Sequence, residues 1–159
     1  IVAVPPGAVK VTLSVQDGNG EVIDREAKLI DVPDPEASPL WITSPAIFRA
    51  QNVREFRGLE RGPTAMPFPG REFVRTDRLI IQFAVHGSAA PAAKISARII
   101  SQWGKDLAEL PLAPRANTDG PYELELPLAT VARGEFLIAI SASSGNDHAR
   151  AFVPIRVVR

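Results

Sequence analysis

The side chains best suited to proton or metal chemistry near neutral pH are the two histidines, His86 and His148. Each sits beside a turn, at the end of a strand-like run. They meet at one end of a sandwich only if those runs are neighbours; solvated loop histidines are the plainer reading. A zinc site needs several His, Asp, Glu or Cys ligands gathered together, and the chain has no cysteine. A nucleophilic triad can be written from Ser143 or Ser144 with Asp147 and His148. These residues are too close in sequence to be held by the separate supports that a triad uses. No nucleophile-elbow motif is present. The run Asp17-Gly18-Asn19-Gly20-Glu21 starts like a calcium loop. It lacks the further spaced acids and the distal glutamate, and a hairpin turn accounts for it. The residues therefore lead us to expect no catalytic residue, no metal ligand and no cofactor.

Two other groups could bind rather than react. Arg49, Arg54, Arg57, Arg61, Arg71, Arg75 and Arg78 are interleaved with Phe48, Phe56, Phe68 and Phe73. Guanidinium groups beside aromatic rings suit an anionic polymer or an acidic protein partner, and Arg49, Arg54, Arg57 and Arg61 are the candidates. The competing reading pairs these arginines with Glu55, Glu60, Glu72 and Asp77. Trp41 and Trp103 are candidates for the exposed aromatic platforms of a sugar-binding sandwich. Tyr122 has the parity of core residues. Scattered aromatics more often serve as core or edge cover.

Composition narrows the partners. Eighteen Lys+Arg balance eighteen Asp+Glu, so nothing favours nucleic acid. No apolar run approaches the roughly 18–20 residues that a membrane-spanning helix needs, so no membrane insertion is expected. Hydrophobic residues make up 45% and charged residues 23%, as in an ordinary globular chain with a core. The 15 prolines are roughly twice the usual share of about 5%. Proline ends strands and interrupts helices, so this abundance points to many short β elements.

The alternation agrees. Val9, Val11, Leu13 and Val15 alternate with Lys10, Thr12, Ser14 and Gln16, as in a half-buried strand. The Asp17–Gly20 turn and a return over 21–32 complete a hairpin. Leu79, Ile81, Phe83 and Val85 mark a strong strand. Ile95, Ala97 and Ile99 mark the next, with a tight turn at Trp103-Gly104-Lys105-Asp106 and a return over 107–112. The stretch 122–159 reads as three more strands. No segment of helical length shows clean 3.6-residue periodicity. The expected fold is all-β, an antiparallel immunoglobulin-like β-sandwich. We expect one domain over 1–159. Residues 1–33 form a hairpin that either completes it or ends a preceding module, and 34–70 form an irregular connection. The opening Ile-Val-Ala-Val-Pro-Pro-Gly reads as mid-domain sequence, so a longer parent protein is expected.

Leu126-Pro127-Leu128-Ala129-Thr130-Val131-Ala132-Arg133-Gly134-Glu135-Phe136 resembles a corner common near the end of immunoglobulin-like and fibronectin-like bacterial modules, with Phe136 where tyrosine is usual. Further segments resemble the C-terminal region of exported von Willebrand A-related proteins of acidobacterial type. They are Pro-Pro-Gly before the first strand, Asp17-Gly18-Asn19-Gly20, Val32-Pro33-Asp34, Arg71-Glu72-Phe73 and Arg75-Thr76-Asp77-Arg78-Leu79. No Asp-x-Ser-x-Ser metal motif is present, so that family's adhesion chemistry is not carried over. The resemblance implies a non-catalytic structural or protein-interaction module of a larger exported bacterial protein, in the periplasm, at the cell surface or secreted. Its partner is then a protein or neighbouring domains of the same chain. A carbohydrate-binding accessory module is the alternative.

Overall fold

The computed structural model describes residues 4–32, 34, 37–60, 66–113 and 120–158. They fall into two compact units, residues 1–38 and 39–159.

The first unit is a two-stranded antiparallel ribbon of β1 (Gly7–Gln16) and β2 (Val22–Val32). Its turn is built as the composition suggests. Asp17 Oδ1 accepts the amides of Asn19 and Glu21, both at 2.9 Å, and Gly20 takes a φ of 85° that favours glycine. The alternation expected over Val9–Val15 is present, but Val11, Leu13 and Val15 are exposed rather than half-buried.

The second unit is an all-β sandwich. Its elements are β3 (Trp41–Ile42), β4 (Ala46–Ala50), α1 (Val53–Glu60), β5 (Glu72–Val74), β6 (Arg78–Phe83), β7 (Val85–His86), β8 (Lys94–Ser101), β9 (Asp106–Leu110), β10 (Tyr122–Pro127), β11 (Gly134–Ser144) and β12 (Asp147–Val158). One sheet has the order β10-β6-β4, the other β5-β12-β11-β8-β9, and β3 pairs with β7. All pairings are antiparallel except β5 with β12. The core lies between the two larger sheets. Leu79, Ile81, Phe83, Leu124 and Leu126 from one meet Ile99, Ile138, Ile140, Val153 and Ile155 from the other. Each set follows the two-residue period of its strand.

The stretch expected to be an irregular connection carries β3, β4 and α1. The helix begins with a capping box. Asn52 Oδ1 accepts the Glu55 amide at 2.9 Å, and the Glu55 carboxylate accepts from Asn52 Nδ2 and the Gln51 amide. Phe56 then drops onto Phe48, Ala50 and Ile80 on the outer side of the β4–β6 pair. This is why Leu79-Ile80-Ile81 is apolar without interruption. Ile80 faces the helix while its neighbours face the core, so β6 is buried on both sides.

Asp77, 1% exposed, fixes the passage from β5 to β6. Its Oδ2 accepts the Val74 amide at 3.0 Å, its own amide bonds Val74 O, and its carbonyl accepts the Leu128 amide. One residue thus ties the crossing between sheets to the short 3-10 turn that precedes β11.

Candidate functional site

The candidate surface is the outer face of the five-stranded sheet. On β8, β11 and β12 the residues out of phase with the core point away from it. Strand register aligns them in rows. Ile100, Leu137 and Pro154 form one, and Arg98, Ala139 and Phe152 the next. Phe152 is 52% exposed, Pro154 is exposed, and Ile100 and Leu137 are half-buried. Charged pairs flank this stripe. Arg98 Nη1 lies 2.7 Å from Asp106 Oδ2, and Arg156 Nη1 lies 2.9 Å from Glu72 Oε1. Between them are shallow depressions, one of about 240 Å³ beside Arg98, Ala139, Arg150 and Phe152. An apolar stripe with an ion-paired rim is suited to packing against another protein surface. The sequence contained the signal: Phe152 and Leu137 interrupt the polar parity of β12 and β11.

The tryptophans are separated. Trp41 stacks on His86 across the β3–β7 pair, with ring centroids 4.6 Å apart. Its ring is half-buried, and its Nε1 is buried without a hydrogen-bond partner. Trp103 is 85% exposed in the turn joining β8 to β9. β8 runs between the two positions, and at about 3.3 Å per residue its length keeps them at opposite ends. No shared aromatic strip forms.

The arginines are dispersed too. Arg49 lies 4.2 Å over the Phe68 ring. Arg78 lies 4.9 Å over Phe56 and 3.3 Å from Glu125. Arg75 donates to the Ala129 carbonyl at 2.6 Å. Arg71 bonds the carbonyl of Gly70. Arg54 and Arg57 project from the exposed face of α1, and Arg61 lies outside the described residues. Three of the acids named beside them have other partners, and the Glu60 side chain lies outside the described residues. Glu55 caps α1, Asp77 holds Val74, and Glu72 pairs with Arg156. The guanidinium groups that reach rings are used to brace Phe56 and Phe68.

His148 sits opposite Ser143, and Asp147 opposite Ser144, across the β11–β12 turn. Among the described residues no hydrogen bond links these side chains, and no three His, Asp or Glu side chains gather as a metal site. Among the described residues no helix is long and apolar enough to cross a membrane. Compared with models of known protein families and with curated proteins, the sequence matches none.

Proposed function

We propose that this chain is a non-catalytic structural or protein-interaction module of a larger exported bacterial protein. The open outer face of the five-stranded sheet carries this reading. Ile100, Leu137, Phe152 and Pro154 keep apolar surface there, while α1 covers the outer side of the β4–β6 pair in the other sheet. Water-facing apolar rows bounded by ion pairs gain most when a protein surface excludes the water. The sandwich is taken as immunoglobulin-like on the Leu126–Phe136 corner. The exported setting, in the periplasm, at the surface or secreted, rests on the resemblance to von Willebrand A-related proteins.

A photo-crosslinking residue at position 152, in the protein expressed in its bacterial envelope, tests the reading. A discrete protein adduct at 152, absent when the probe is at Arg57 on α1, is the expected result. Equal labelling at both positions overturns it.

Carbohydrate binding is the second reading, favoured by the 85% exposure of Trp103. The chain has two tryptophans, so Trp41→Phe leaves Trp103 as sole reporter. An emission shift with one polysaccharide of a panel, together with loss of the protein's retention on that polysaccharide in Trp103→Ala, makes sugar binding the leading function.

A further inference from the structure

The β1–β2 ribbon carries a fault in its register, and the fault decides which face is apolar. Pairing leaves the turn as Asp17 with Glu21 and Gln16 with Val22. The next pair is Val15 with Asp24, so Ile23 is an extra residue bulged out of β2. Beyond it the ladder runs Leu13 with Glu26, Val11 with Lys28 and Val9 with Ile30. The apolar residues of β1 therefore share a face with charged residues of β2. Ile23 and Leu29, at 69% and 71% exposed, are left out of that arrangement.

Without the bulge the register set by the turn would simply continue. Val15 would then face Ile23, Leu13 would face Arg25, Val11 would face Ala27 and Val9 would face Leu29. A one-residue slip carries every side chain of a strand to the other face. From Val15 to Leu29 one face would become apolar but for Arg25, with Asp31 on the same face at its far end. The other would pair Thr12 with Glu26 and Ser14 with Asp24. Two-sided alternation of this kind is the pattern of a hairpin with one face packed and one in water.

We propose that the un-bulged register is a second accessible state of this hairpin, one residue away from the bulged state, and that it is the form suited to burying one face. The bulged state has its own reason. The slip would set Lys10 directly opposite Lys28, and like charges facing across a ladder repel. With both faces in water, gathering the apolar side chains on one of them gains little against that repulsion. Val11, Leu13 and Val15 are all exposed in the bulged state. A surface that covers one face reverses the balance, because it binds the one-sided form better.

The chain has no cysteine, so paired cysteines read the register directly. Val11→Cys with Lys28→Cys reports the bulged state, and Val11→Cys with Ala27→Cys reports the un-bulged one. In either state only facing residues have Cα atoms near 4.5–5.5 Å with Cβ atoms on the same side, as a disulfide requires. Under mild oxidation of the dilute full chain, both pairs are expected to close within the chain, as seen by free-thiol titration. Adding Lys28→Glu, which sets an acid opposite Lys10, is expected to raise the closed fraction of the Val11–Ala27 pair several-fold. If the Val11–Ala27 pair stays open in both backgrounds, the proposal is overturned. Closure unchanged by Lys28→Glu overturns the account of why the bulged state prevails.

Discussion

Two hairpins of nearly equal length behave differently in this molecule. β11 and β12 pair without a break from Ser144–Asp147 to Gly134–Val157. β1 and β2 shift by one residue beside their turn. Both turns are sound. Gly145 takes a φ of 57° in one, and Asp17 with Gly20 closes the other. Strand length and turn chemistry therefore do not explain the contrast; burial does. Ile138, Ile140, Val153 and Ile155 are each 2% exposed or less, so a slip in β11–β12 would drive Leu137, Ala139, Phe152 and Pro154 into the core in their place. The ribbon of β1 and β2 has no such constraint. Register is set firmly where one face is buried and loosely where neither is.

The largest expected effect lies on the buried side. Ile138→Ala removes a fully buried side chain between the sheets and is expected to lower the unfolding free energy of the sandwich by about 2–5 kcal/mol in urea titration. Next comes Asp77→Ala, which leaves the half-buried Val74 amide without its acceptor, at a cost of about 1–3 kcal/mol. Asp77→Asn, keeping an acceptor oxygen, recovers most of that loss. Asn52→Ala removes the cap of α1 and is expected to cost about 1 kcal/mol. It should also increase amide exchange in residues 53–56 before that of the β-sheets. The smallest effect belongs to the open ribbon. Leu13→Ala is expected to change unfolding by no more than about 0.5 kcal/mol. A loss there as large as that of Ile138→Ala would erase the contrast between the hairpins.

Several of these features were legible in the residues. Alternation located β6, β8, β10, β11 and β12, and glycine with polar residues located their turns. The helix was missed because eight residues supply only two turns of periodicity. Its signal was chemical instead: Asn52 followed three residues later by Glu55. The uninterrupted Leu79-Ile80-Ile81 was a second sign, since a strand with one wet face alternates. Of the proposed binding groups, the residue types said little. Trp41 and Trp103 are chemically alike, yet one is stacked on His86 and the other is in water. Arg49 and Arg78 lie against rings, while Arg54 and Arg57 do not.

By itself the sequence determined what is local. Two-residue alternation, prolines and turn formers specify strands and their ends, because those preferences act through the backbone of each residue and its neighbours. Only the tertiary structure decided which strands share a sheet, which outer face α1 covers and which stays open. Those outcomes depend on apolar area removed from water between segments distant in the chain, and alternation within one strand carries no record of its partner. The β1–β2 register marks the boundary between the two. There the local pattern permits two answers, and the described residues of the ribbon are exposed or half-buried on both faces, so burial does not select one.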